Sequence, residues 1–404
     1  MIRKNHYTII GLLVSTILLV CCQKPDDYKK YTDAGEKIYP GAVVGAQSFP
    51  GNGRVLVAWI HGIDNRVKKY RITWNNGAGS KEVDAKSLNT GDTLKLYIDQ
   101  LAESSYNFTI YSLDDAGNQS VSTILPPVKA YGSLYKNSLY NRGLDISNAT
   151  VLNSDGSVTV NFIAADTINI ETVVRYTDNT NTIRTTTVSA DSFSTNLPNY
   201  KLGSYIYLRS SYKPVSIAID TFITNAEDSV MVKNVPVSKA GWTKFNLPND
   251  ITGDAYGTNF SKIWDGSPAG YPNIYHSGWW DPMPQHFTID LGELYNLTQF
   301  AEWGRQDCGC HNPDKFEVWG IADITGAATT LPSTDAGWKD ESIAKGWTLL
   351  ANITRTDDGI EGLKWSLNNP SGQKFRYIRI RVLHTVDNHN SESHMSEISF
   401  WYNP

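Results

Sequence analysis

The sequence predicts an all-β chain of successive antiparallel sandwiches, and three observations carry that expectation. From Tyr39 onwards, short apolar runs alternate with turn residues, and no helical period of useful length competes with them. Aromatic residues make up 11% of the chain, alongside abundant Thr, Ser, Asn and Gly, a composition that suits pleated surfaces and turns. The aromatic residues are also unevenly placed: ten of the twelve tryptophans and six of the eight histidines lie beyond residue 240. At roughly 100–200 residues per domain, 404 residues make two to four domains. The boundaries we expect are 1–22 (targeting segment), 23–38 (linker), 39–130 and 131–235 (two sandwiches), and 236–404 (an aromatic-rich terminal module).

The first segment is not part of a fold. Arg3 and Lys4 precede an apolar stretch from Ile9 to Val20, broken only by Gly11, Ser15 and Thr16. About 12 apolar residues are too few to span a bilayer and suit a signal peptide. Leu19-Val20-Cys21-Cys22 resembles a bacterial lipobox, which implies acylation at Cys22; cleavage before Cys21 stays open. Gln23-Lys24-Pro25-Asp26-Asp27 resembles the acidic tag that exports Bacteroidota lipoproteins to the outer face of the outer membrane. A lipid-anchored protein facing the cell exterior is therefore expected. The net charge is −5, and loss of Arg3 and Lys4 makes the mature chain more acidic still. With no Lys/Arg stripe, nucleic acid is excluded as a partner.

Within 39–130, Val55-Leu56-Val57-Ala58-Trp59 and Tyr70-Arg71-Ile72-Thr73-Trp74 read as strands, the second ended by the Asn75-Asn76-Gly77 turn. Tyr106 to Tyr111 has the alternation of a half-buried strand. Leu101 to Phe108, followed by Asp115-Ala116-Gly117-Asn118, resembles the end of a fibronectin type III domain. Its Leu-to-Tyr spacing matches that fold's tyrosine corner, and Trp59 matches its core tryptophan. A fainter copy follows in Ser157 to Phe162, Thr172 to Tyr176 and Tyr205 to Ser210, without a core tryptophan. Gly35 to Trp74 also resembles the start of an uncharacterised family common in Bacteroidota surface lipoproteins, a likeness reaching from about residue 25 to 235. Asp92-Thr93-Leu94, Asp166-Thr167-Ile168 and Asp228-Ser229-Val230 resemble the O-glycosylation triplet of the same bacteria. These repeats offer no paired acids, no nucleophile beside a base and no glycine-rich phosphate loop, so they read as spacers or protein-contact modules.

The stretch from Pro236 to Pro248 reads as a linker. Beyond it come Ile263-Trp264-Asp265-Gly266-Ser267, His276-Ser277-Gly278-Trp279-Trp280, and Gln285 to Gly292, where Phe287, Ile289 and Leu291 share a face and Gly292 ends the strand. Phe316 to Gly320, Gly346 to Leu350, Arg376 to Val382 and His394 to Trp401 follow in order. Together these motifs resemble the discoidin family (coagulation factor five/eight type C, galactose-binding-like), which implies an antiparallel jelly-roll sandwich. The predicted fold class is thus two fibronectin type III-like sandwiches followed by a discoidin-like jelly roll. Trp264, Trp319, Trp347 and Trp401 read as core residues on strands.

Sugars present an apolar C–H face that stacks on Trp or Tyr, and hydroxyls that need polar partners. Two loops combine both: Tyr275, His276, Trp279 and Trp280 on the first, and Arg305, Asp307, His311 and Asn312 on the second. His384 to His394 is a third polar stretch. In sugar-binding members of the superfamily an arginine and a following asparagine grip hydroxyls, and Arg305 and Asn312 are the nearest counterparts. The resemblance further implies a structural calcium held by Asp265, Ser267 and Glu397, hard oxygen donors that suit a coordination of 6–8. Cys308-Gly309-Cys310 reads as a local disulfide in an oxidising compartment; with His311 a metal site stays open as the alternative. The expected function is non-catalytic capture of a glycan or glycoconjugate, beside surface enzymes or a transporter. The alternative is an adhesion or scaffold protein whose same loops bind a protein. A hydrolase would need two facing carboxylates ~5–10 Å apart, and no segment is left over for a catalytic domain.

Overall fold

A computed structural model describes residues 39–85 and 88–404. The signal segment, the lipobox with Cys21 and Cys22, and the linker to residue 38 lie outside the described residues. The chain is all-β, with sandwich sheets along its described length. It divides into two compact units, within strand Ile206–Tyr212; among the described residues the first holds 39–140 and 211–225, the second 141–210 and 226–404.

In the first unit, Val44–Pro50, Val55–Ile60 and Thr93–Ile98 form one antiparallel sheet. Gly79–Asp84, Lys69–Trp74, Phe108–Leu113 and Thr123–Ile124 form the other. Alternation along the strands sends Val55, Val57 and Trp59 inward to meet Tyr70, Ile72, Phe108 and Ile110. Trp59 is fully buried and meets Tyr70 edge-on at 5.3 Å. The Tyr106 hydroxyl donates to the Ala102 carbonyl at 2.9 Å, pinning the turn before its strand.

The second unit begins with a smaller sandwich. Thr150–Leu152, Val158–Asn161 and Ser194–Leu197 face Ile183–Ser189, Asn169–Thr177 and Ile206–Tyr212 over a core of Val160, Phe162, Val174, Leu197 and Leu208.

The jelly roll follows without a linker. The stretch expected to be one is built into it: Val235–Pro236 pairs with Glu397–Asn403, Thr243–Phe245 pairs with Gln285–Trp303, and Val237 and Trp242 are core residues. Gln285–Trp303 organises the module. Its first half pairs with Phe375–Thr385 and its second with Glu397–Asn403, so one strand serves both sheets. Gly292 therefore marks a corner rather than the strand's end. It sits at φ +83°, where a Cβ would lie 2.9 Å from the Gly241 carbonyl oxygen, and its N–H donates to Asp290 at 2.7 Å. Phe287, Ile289 and Leu291 enter the main core with Phe300, Phe316, Ile378, Ile380 and Phe400. Of the tryptophans expected on strands, Trp264 ends a 3-10 turn and Trp347 precedes its strand; Trp319 and Trp347 pack with Trp338 in a satellite cluster.

Candidate functional site

The short strand Tyr275–His276 pairs with His394–Met395, which brings the loops 277–284 and 386–393 side by side. Ser277 N–H donates to the Ser393 carbonyl and Met283 N–H to that of Asn390. On the first loop Trp279 and Trp280 are 70% and 53% exposed, their ring centroids 5.8 Å apart and their planes at 80°. Gly278 makes this arrangement feasible, because a Cβ there would lie 2.3 Å from the Trp280 ring. The Tyr256 ring is 6.2 Å from Trp280, and its hydroxyl accepts the Trp279 N–H and donates to Glu392 Oε1 at 2.6 Å. Tyr271 donates its hydroxyl to the Tyr256 carbonyl at 2.7 Å and lies under the Arg305 guanidinium. Four exposed rings are thus tied into one face. Tyr256 holds φ +57°, a left-handed conformation uncommon for a bulky side chain.

Arg305 grips Asp307 through Nε at 2.6 Å and Nη2 at 3.1 Å, and this pairing holds the Asp307 carboxyl down to about 2. Asp307 also accepts the Tyr271 N–H, so the polar pair sits at the edge of the aromatic face. Cys308 and Cys310 are joined as a disulfide, which removes both thiolates from metal binding.

Three residues expected at the sugar face are buried beneath it or in the core, His276 lying edge-on under the Tyr256 ring at 4.7 Å. Tyr275 is fully buried, packed against Phe260 at 5.6 Å and Phe287 at 4.9 Å, and strand alternation directs it into the core. His276 is buried too. Its Nδ1 donates to the Ser277 carbonyl at 2.6 Å and its Nε2 lies 2.8 Å from His394 Nε2; burial lowers the pKa of both rings, that of His394 to about 2. Asn312 is fully buried and staples its own loop: Oδ1 accepts the Arg305 N–H at 2.9 Å, and Nδ2 donates to the Cys308 and Asp358 carbonyls. Trp279, Trp280, Arg305, Asp307 and His311 remain at or near the surface. Tyr256, Tyr271 and Glu392 were not legible as site residues. Only Tyr256 carried a signal, an aromatic residue inside the turn-like Gly253-Asp254-Ala255-Tyr256-Gly257.

The calcium donor set does not fit calcium. Glu397 Oε1 is bound by the Lys239 ammonium and Oε2 accepts the Gly266 N–H at 3.0 Å. Asp265 accepts the Ser267 N–H and pairs with Lys262 at 3.1 Å. A fixed ammonium stands where the ion's positive charge is required, and the carboxylate oxygens are already engaged. Lys239, in the stretch read as linker, is what the sequence left out.

These features define an all-β protein: sandwiches followed by a jelly roll with an exposed aromatic loop face. Residues 21–222 match a domain of unknown function, DUF4998, and residues 264–402 match a second, DUF5000. The chain belongs to the DUF4998 family. No curated protein matches the sequence. Among solved structures it is similar to a SusE-like protein, at 25% identity over 41% of this chain and 99% of that one (TM-score 0.33). It is also similar to a family 32 carbohydrate-binding module from C. perfringens NanJ in complex with galactose, at 14% identity over 42% and 99% (TM-score 0.30). The lectin domain of Lectinolysin complexed with Lewis B antigen is another such structure, at 14% identity over 43% and 100% (TM-score 0.30). Among the described residues no helix is long and apolar enough to cross a membrane.

Proposed function

We propose that this chain is a non-catalytic glycan-binding lipoprotein of the outer cell surface, anchored through Cys22, with fibronectin type III-like sandwiches as spacers. The observation that carries the reading is the joined face of Tyr256, Tyr271, Trp279 and Trp280, edged by Arg305 and Asp307. Soluble proteins rarely leave two adjacent tryptophans in water without a ligand to cover them. Rings at steep angles offer separate platforms to a sugar's C–H faces, while the guanidinium and carboxylate address its hydroxyls. Captured polysaccharide or host glycan would then pass to partner enzymes or a transporter.

The test is a glycan array probed with the full-length chain and with Trp279→Ala and Trp280→Ala. Binding to defined glycans that falls at least tenfold in both variants supports the reading. Silence from a folded chain across plant, microbial and host glycans refutes it and favours a protein ligand for the same loops.

A further inference from the structure

Beside the aromatic face lies a cluster that sugar binding does not account for. His311, His389 and Glu392 each offer one donor atom, and the three atoms lie within 4.8 Å of one another. His311 Nδ1 is 2.6 Å from Asp387 Oδ2, a contact without hydrogen-bond alignment, and its Nε2 is 3.9 Å from Glu392 Oε2. His389 Nε2 is 3.4 Å from the same oxygen. The other oxygen, Oε1, is occupied by the Tyr256 hydroxyl. The donors therefore converge on one point without closing ordinary hydrogen bonds on each other.

That spacing has a physical meaning. Two donors each ~2.1 Å from a common ion at a tetrahedral angle stand about 3.4 Å apart. One separation, 3.4 Å, meets that requirement, and the other, 3.9 Å, needs a small closure of the His311 ring on Glu392. Asp387 accepts the His311 backbone N–H at 3.1 Å and stands behind its ring, so a small turn of the imidazole would complete the carboxylate–histidine arrangement that fixes a ligating ring. Imidazole nitrogen with a single carboxylate selects a borderline divalent transition metal over calcium, which takes 6–8 oxygens.

We propose that His311, His389 and Glu392 bind one zinc-like divalent ion, with Asp387 as the residue that orients His311 and a fourth position open to solvent or ligand. His389 is the adaptable member. Its Nδ1 now accepts the Glu392 N–H at 3.0 Å, so loading the ion gives up that bond and turns the ring. The cysteines play no part, being joined to each other. The proposal does not need the glycan reading, since neither exposed tryptophan is a ligand, although Glu392 Oε1 also accepts the Tyr256 hydroxyl of the aromatic face.

The experiment is titration of the untagged full-length chain with Co(II), followed by its visible absorption, then displacement by Zn(II). One equivalent with four- or five-coordinate bands, displaced by zinc, is expected. His389→Ala and Glu392→Gln should weaken binding at least tenfold, and Asp387→Asn by roughly 10–100-fold. His384→Ala, whose ring bonds Asp314 and Asn388 outside the cluster, should bind as the wild type does. Tryptophan fluorescence verifies that each variant is folded. No cobalt bands, or equal binding by wild type and His389→Ala, overturns the proposal, whatever the glycan array shows.

Discussion

Replacing Lys239 by methionine tests how the jelly roll ties its two ends together. The substitution keeps the aliphatic stem and removes the ammonium that pairs with Glu397, whose side chain is only 3% exposed against 23% for Lys239. Breaking a buried pair by removing one partner costs about 3–5 kcal/mol. Because Lys239 keeps some contact with water, about 2–4 kcal/mol is the better expectation here. At roughly 2–4 °C per kcal/mol for a module of 150–250 residues, the melting midpoint should fall by roughly 5–15 °C. Intrinsic tryptophan fluorescence is the appropriate assay. Ten of the twelve tryptophans lie beyond residue 240, and the Trp242 ring is 5.9 Å from the Lys239 ammonium. Burial already pushes the Glu397 carboxyl up, and Lys239 opposes that push. In the variant the raised carboxyl pKa makes the deficit largest above the ordinary carboxylate range, and it shrinks as pH falls and both states become protonated. Adding calcium to metal-free protein should leave the wild-type midpoint unchanged. A wild type that gains stability when calcium is added, with an unchanged midpoint for Lys239→Met, would refute the reasoning and restore calcium to the site.

Two further outcomes follow from buried polar groups. Glu302 is fully buried against Arg355 at 2.5 Å, and burial outweighs the arginine to push its carboxyl up to about 8. The folded state then keeps a proton that the unfolded state has lost, so this group's contribution to stability falls as pH rises from about 4.5 to about 8; Glu302→Gln should flatten the difference in midpoint across that window. Asn312→Ala should cost about 1–3 kcal/mol, read as a lower fluorescence midpoint, because the Arg305 N–H loses its buried acceptor.

Fold was more legible than site, and the residues show why. Strand alternation and turn chemistry are local, so Val55 to Trp59 and Gln285 to Leu291 announced themselves; Gly292 was visible as a special position but not as a corner, because its role depends on the Gly241 backbone opposite. Trp279 and Trp280 read correctly as surface residues, since two bulky neighbours on a strand would face opposite layers. Tyr275 and Asn312 misled because their residue types suit a sugar equally well, and only packing reveals the inward rotamer. The histidine cluster was legible only as separate pieces, His311 and the polar stretch His384 to His394. His311 lies 78 residues from His389, and nothing local shows that Asp387 stands behind it. Lys239 was hidden for the same reason, 158 positions from Glu397.

The pairing of Val235–Pro236 with the chain's last strand bears on how this molecule can be cut. Tyr402 packs against the core of the small sandwich and against that of the jelly roll, while Asn234 bonds both Thr298 and Asn403. A fragment beginning at residue 236 would leave Glu397–Asn403 with an open edge and a stranded tyrosine, a template for self-association. The smallest excisable piece is accordingly larger than the jelly roll alone. A start near residue 141 would in turn part 211–225 from 39–140, the rest of its unit, so recombinant work is better served by keeping the whole described length.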